Sequence, residues 1–288
     1  MMKQNQLAIR LLAVAIVLLT TTCSALAQQY QPSDSILVES LLSEARQEKA
    51  DTNWMVYFAR KLTDIPYVAK TLEKNRREQL VVNLRQLDCT TYVETVTALT
   101  LCMKHRQHAF SDYCRYLRLL RYEGGEVDYV HRLHYFSSWI SDNTSMGFVN
   151  EPNTPQEAFE ATQHLRINYM STHVGQYPML VANPAWVDAI RKTEQALTGT
   201  DVVYIPKQKL SNTPLYWDAI KDGDIIAICT NKRGLDTSHI GIAVWHIDGV
   251  HLLNASMIHK RTIEEPMTMQ QYMQKHPSQT GIRVVRLK

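Results

Sequence analysis

Neither sign of charge prevails in this chain: 31 Lys and Arg against 28 Asp and Glu leave a formal net charge of +3 over 288 residues. The basic residues gather into no stripe, which excludes the electrostatic footprint of a nucleic-acid-binding protein. There is no internal repeat and no low-complexity tract. Beyond the N-terminal segment no apolar run is long enough to cross a bilayer, so no integral membrane span is expected in the mature chain. His131 and His134 stand three apart, but no Cys or carboxylate pattern completes a metal site around them, and no metal or other cofactor is called for.

Cysteine is sparse, at five residues, and the first of them sits in a segment with its own grammar. Lys3 and Arg10 precede the short apolar run Leu11–Leu19, and Ala25-Leu26-Ala27 then supplies small residues where a signal peptidase reads. This pattern reads as a secretory leader over residues 1–27, too short for a comfortable span, with the mature protein starting at Gln28 and exported to the periplasm or the medium. Cys23 opens an alternative, a lipid anchor on that residue; Thr20, where lipoprotein signals carry an aliphatic residue, places it second. Residues 28–288 show no dividing linker and read as one domain. Apolar residues at 45% give it a substantial core.

The mature chain runs from helices to strands. Ser33 to Lys49, Thr52 to Leu62, the stretch after Asp88 and Ser111 to Tyr122 carry helical periodicity, and a further helix is expected from Pro155 to Arg166. From Asp201 the pattern becomes short apolar strands: Val202–Ile205, Asp224–Cys229, Ser238–Ile247, Val250–Ser256 and Ile282–Arg286. The third and fourth form a hairpin around Asp248-Gly249, a favoured type I′ pair. Helices followed by consecutive strands predict an α+β fold with an antiparallel sheet.

The chemistry centres on Leu87-Asp88-Cys89-Thr90-Thr91-Tyr92-Val93-Glu94. Asp88 is a good N-cap, which puts Cys89 at the first helical position, where free N–H groups and the helix dipole favour a thiolate. From this stretch alone Cys89 is either a nucleophile or a buried structural cysteine. A nucleophile needs a base and the base an orienting group. His239 opens the strand Ser238–Val244, on the face it shares with the small residues Gly241 and Ala243. Asn254 is a lone polar residue in the next strand and needs a partner, which an imidazole Nδ1–H would provide. A two-residue turn at Asp248-Gly249 would leave Asn254 opposite Ala243, four residues from His239. A bulge or irregular hairpin is therefore expected, one that shifts the register by two and brings Asn254 opposite Gly241.

These blocks resemble the NlpC-type papain-like cell-wall cysteine hydrolases, which carry Cys, His and a third polar residue in this chain order. The likeness sharpens to an amidase-like branch known by a domain-of-unknown-function number. It rests on Pro66-Tyr67-Val68-Ala69-Lys70-Thr71-Leu72-Glu73, Val82-Asn83-Leu84, the Cys89 block, Arg132-Leu133-His134-Tyr135, Trp139-Ile140, Asp222-Gly223-Asp224 and Gly281–Arg286. Asn254 is a departure, since many relatives carry His there. The resemblance implies a papain-like fold and an exported N-acetylmuramoyl-L-alanine amidase acting on anhydro-muropeptide fragments of peptidoglycan. Cleavage after γ-D-glutamate in the stem peptide is the sibling activity.

In this reading Cys89 attacks an amide carbonyl, His239 moves the proton and Asn254 orients the ring. The Cys89 amide and Tyr67 are expected to form the oxyanion hole. Asp88 caps the helix and is also a candidate for binding a substrate amine, while Arg132, His134 and Tyr135 either line the groove or brace a loop. A non-catalytic wall-binding module and a thiol acyltransferase are the competing classes. His173 with Tyr177, and Trp54 with Tyr57, read as packing or surface residues.

Overall fold

The computed structural model describes residues 28–288; the leader expected over 1–27, with Cys23, lies outside the described residues. A short parallel pair, β1 (Gln28–Gln29) with β2 (Leu80–Val81), ties the start of this region to a helical layer. That layer comprises α1 (Pro32–Ala45), α2 (Trp54–Lys61), α3 (Cys89–Lys104) and α4 (Phe110–Arg121). The middle of the chain adds α5 (Phe136–Ser145), β3 (Val149–Asn150), β4 (Ala161–His164), α6 (Tyr169–Thr172), α7 (Pro178–Ala182) and α8 (Trp186–Leu197). The last third holds β5 (Asp201–Pro206), α9 (Pro214–Ala219), β6 (Ile225–Thr230), β7 (Thr237–His246), β8 (Gly249–Ser256), β9 (Arg261–Glu264), α10 (Met269–Gln274) and β10 (Gln279–Leu287).

The main sheet runs β4-β5-β10-β6-β7-β8-β9, with β3 also on β10. Every described pairing in it is antiparallel, which makes the fold α+β. Alternation along the strands divides the core between two faces. Ile240, Ile242, Val244 and Leu253 pack towards α2 and α3, whereas Ala243, Leu252, Ile226 and Ile228 pack towards Tyr216, Met269, Tyr272 and Met273 of α9 and α10. A third cluster around Tyr129, Tyr135, Met170 and Ile190 holds the middle segment together.

Helix α3 is wrapped on all sides. Every residue from Thr91 to Cys102 is buried. The sequence tolerates this because its polar groups find partners inside. Thr97 and Thr100 donate their hydroxyls to the carbonyls of Val93 and Val96, at 2.7 and 2.8 Å. The Glu94 carboxylate accepts from Arg121 Nε at 2.7 Å, with both side chains at most 3% exposed.

Two sequence expectations fail here. The helix expected from Pro155 to Arg166 is absent: residues 155–158 form bends and turns, and Ala161–His164 is edge strand β4 on β5. Pairing with Asp201–Tyr204 overrides local helix propensity. The β7–β8 hairpin has neither a bulge nor an Asp248-Gly249 turn. His246 pairs with Gly249, so Ile247 and Asp248 are the turn and the ladder runs regularly to Ile242–Leu253. Gly249 joins β8 at φ +148°, on the side of backbone space that glycine reaches most freely. Moving the turn back by one residue shifts the register by two, which places Asn254 opposite Gly241. The irregularity lies instead on the other edge of β7, between its pairings with Ile228 and Cys229.

Candidate active site

Asp88 starts α3 as the cap its sequence promised. Its carboxylate accepts from the Thr91 amide at 2.9 Å and the Thr91 hydroxyl at 2.8 Å, and its own amide donates to that hydroxyl at 2.9 Å. Cys89 is therefore the first helical residue. Its thiol lies against the Ile240 amide of β7 and the amide and hydroxyl of Thr90. A cavity of about 210 Å³ is lined by Cys89 together with His239, Tyr135, His134 and Asp236.

The helix start does not by itself produce a thiolate. Burial, and then the Asp88 charge, push the Cys89 thiol up to about 12, against the smaller opposing pull of the Ile240 and Thr90 groups. The helix dipole contributes about 0.3–1 kcal/mol, less than the several pKa units burial can impose. In the resting site the sulfur holds its proton, and ionisation requires a base.

His239 lines the same cavity. The Asn254 side-chain amide donates to the Leu252 carbonyl at 3.2 Å, which fixes its oxygen towards the imidazole. His239 Nε2 lies 3.1 Å from Asn254 Oδ1. An amide oxygen only accepts, so Nε2 carries the hydrogen and Nδ1 carries the lone pair. The sequence reading assigned this contact to Nδ1; the structure reverses the two nitrogens. Burial holds His239 below its ordinary value, partly offset by the Asn254 hydrogen bond, so the ring is neutral and basic at neutral pH. Gly241, opposite Asn254, is required by close approach. A Cβ there would lie 2.7 Å from Leu252 Cδ1 and 2.8 Å from the Leu253 carbonyl oxygen.

Tyr67 is brought beside Cys89 by a bridge to Leu87 and by its amide, which donates to the Lys260 carbonyl at 2.9 Å. Burial, then the neighbouring Cys89 and Asp88, raise its phenol to about 12, so it remains a neutral donor.

The Arg132-Leu133-His134-Tyr135 run divides by role. Arg132 is buried and its guanidinium is taken by Glu73 and, at 3.4 Å, by Glu78; it is not available to a substrate carboxylate. The Tyr135 hydroxyl donates to Glu194 at 2.7 Å and accepts from the Met170 amide at 2.9 Å. Its ring walls the cavity while its polar end braces the middle segment. His134 Nε2 donates to the Tyr129 carbonyl at 2.8 Å, and burial followed by the Arg132 charge depresses it to about 3. It is a permanently neutral ring in the cavity wall.

Other cavity residues carry no role in the sequence reading. Asp236 is buried, accepts from the Thr237 and Ser137 amides at 2.7 Å each, and so ties the start of β7 to the first turn of α5. Tyr177, read as packing, lines the cavity from the middle segment, as does Leu133. Asp236 stands three residues before His239, which is a local signal; Leu133 falls within the Arg132–Tyr135 block, and Tyr177 carries no local signal. Cys89, Cys102, Cys114 and Cys229 are all free thiols.

An α+β protein whose central helix starts on a cysteine, at a cavity also lined by the histidine of a strand-borne His–Asn pair, is the class these features define. The family model for N-acetylmuramoyl-L-alanine amidase-like (AmiA-like) proteins matches residues 57–282, and the chain belongs to that family. A crystal structure of an N-acetylmuramoyl-L-alanine amidase from Bacteroides uniformis is 39% identical, with a TM-score of 0.76, covering 82% of this chain and 98% of that one. A Bacteroides fragilis structure described as a putative xylanase is 38% identical, with a TM-score of 0.73, over 79% of this chain and 98% of that one. A Legionella pneumophila protein shares the fold at 18% identity, with a TM-score of 0.66, over 88% of this chain and 94% of that one. Comparison with curated proteins gave no match.

Proposed function

We propose that this protein is an exported cysteine amidase that releases the stem peptide from N-acetylmuramic acid in anhydro-muropeptides. Residues 1–27 act as the leader, and residues 28–288 act as one catalytic domain of the NlpC-type papain-like kind. The observation that carries the reading is the His239 Nε2–Asn254 Oδ1 contact of 3.1 Å on the wall of the cavity that holds Cys89. The family membership and the B. uniformis amidase supply the substrate class.

The chemistry follows from the protonation states. His239, through its free Nδ1, takes the Cys89 proton as the sulfur attacks the amide carbonyl between muramic acid and L-alanine. The tetrahedral oxyanion forms beside the Cys89 amide, which has no backbone acceptor among the described residues, with the Tyr67 phenol as a second donor. The imidazolium returns its proton to the departing alanine nitrogen. Water then attacks the thioester with His239 again as base, releasing the muramic carboxylate and restoring the thiol.

Mass spectrometry of the products from anhydro-muropeptides and from free stem peptides tests this assignment. The expected product is an intact stem peptide with L-alanine at its N-terminus. Cleavage confined to the stem would make the protein an endopeptidase, and transfer of the acyl group to an acceptor other than water would make it an acyltransferase.

A further inference from the structure

The cavity at Cys89, about 210 Å³, is smaller than the ~300–1,000 Å³ of pockets that enclose small ligands. Two hollows adjoin it. One of about 720 Å³ runs between α5 and α8, and one of about 180 Å³ lies between the Lys70 loop and the start of α3. Leu133 belongs to the walls of all three. We propose that the substrate straddles Leu133, with its saccharide in the 720 Å³ hollow and its carboxylate-bearing peptide in the Lys70 hollow. This orientation rests on the amidase reading above.

The charges decide which half goes where. The large hollow presents hydroxyls from α5 and α8, including Ser138, Ser141 and Thr193. Its arginines are already neutralised: Arg283 holds Glu151 through two bonds of 2.8 and 2.9 Å, and Arg132 holds Glu73 and Glu78. Glu123 and Asp142 also line this hollow, and neither has a cationic partner among the described residues. Such a surface accepts hydrogen bonds from sugar hydroxyls and repels an anionic peptide.

The small hollow has the opposite bias at its rim. Lys70 Nζ donates to the Gln176 carbonyl at 2.9 Å and lies 5.8 Å from the centre of the Tyr177 ring. No carboxylate among the described residues pairs with it. The acidic groups deeper in this hollow are committed, Glu73 to Arg132, Glu94 to Arg121 and Asp88 to the cap of α3. Lys70 is thus a cation placed to meet a peptide carboxylate.

Calorimetric titration of the full mature chain carrying Cys89→Ala, with two separate probes, tests the orientation whether or not cleavage occurs. The probes are the N-acetylglucosaminyl-anhydromuramic disaccharide and a tripeptide stem with free carboxylates. Ser141→Trp places an indole in the large hollow from an exposed position. It is expected to weaken the disaccharide about tenfold or more and to leave the peptide unchanged. Lys70→Gln is expected to weaken the peptide about tenfold, to spare the disaccharide, and to have no effect on a stem whose carboxylates are amidated. Thermal melts establish that both variants fold. The reverse pattern, equal effects on both probes, no effect on either, or no measurable binding by the unfilled protein overturns the orientation. The amidase reading fails separately, if the wild-type chain leaves the muramoyl–alanine bond intact.

Discussion

At the scale of single residues, the cavity is lined by a neutral thiol and a neutral imidazole. Because burial lowers His239 from 6.5, the ring stays a base through neutral pH and is lost only in acid. The acid limb of kcat/KM is therefore expected to have its midpoint below 6.5, and a midpoint at or above that value would contradict the burial argument. The stability sign follows from the same shift. Below 6.5 the unfolded chain binds the proton more readily than the folded one, so His239 reduces stability as pH falls through that value and contributes no such loss at neutral pH. Removing the base with His239→Ala is expected to cost about 10²–10⁴ in kcat. Asn254→Ala removes one hydrogen bond of about 1–3 kcal/mol, equivalent to roughly 5–150-fold. Steady-state kinetics of the two variants, read beside their circular dichroism, check this ranking; an Asn254 variant at wild-type rate would remove it from the site.

At the scale of elements, the β7–β8 hairpin links structure to chemistry. Gly241→Ala forces a methyl towards the Leu253 carbonyl oxygen, within 2.8 Å, and β8 must shift to admit it. The expected result is a loss of activity of about tenfold or more, through displacement of Asn254, with the Cys89 and His239 side chains still present. Wild-type turnover in this variant would show that the strand spacing is not critical. The Glu94–Arg121 pair belongs to the same scale. Breaking it with Glu94→Gln or Arg121→Met alone leaves a buried charge uncompensated and is expected to cost about 3–5 kcal/mol in chemical denaturation. Exchanging both for apolar residues of similar volume is expected to recover most of that loss.

The elements also show where sequence patterns carry information. The start of α3 was legible because a cap is a local device: Asp88 and Thr91 satisfy each other across three residues whatever surrounds them. The facing of β7 was legible because alternation has a period of two. The hairpin turn was not, since Asp248-Gly249 is a strong local turn signal but the ladder settles one residue earlier. The neighbours required Asn254 beside His239, yet the route was a displaced turn and not a bulge. Residues 126–200 carry little local pattern because their order comes from distant contacts, such as Tyr135 with Glu194 and β4 with β5. Arg132 illustrates a further limit. The sequence places a cation near the site, but only the fold reveals Glu73 and Glu78 beside it.

At the scale of the whole molecule, the helical layer, the sheet and the middle segment meet around one cavity, and each contributes a wall that the others cannot. Cys89 and Thr90 come from the first, His239 and Ile240 from the second, Leu133 and Tyr177 from the third. No described helix is long and apolar enough to cross a membrane. Intact-mass measurement of the protein recovered after export is expected to show a chain beginning at Gln28. A lipid-modified Cys23 at the N-terminus would replace the soluble form with an anchored one.

The central claim is that Cys89 forms a thioester with the muramoyl half of the substrate. Its most direct test is acid quenching during turnover of an anhydro-muropeptide, followed by intact and peptide-level mass spectrometry, with Cys89→Ala assayed in parallel. The mass of the muramoyl acyl group should appear on the peptide containing Cys89, and the Cys89→Ala chain should be inactive and unmodified. Turnover by Cys89→Ala at the wild-type rate, or a stem-peptide fragment on Cys89 in place of the muramoyl group, would contradict it.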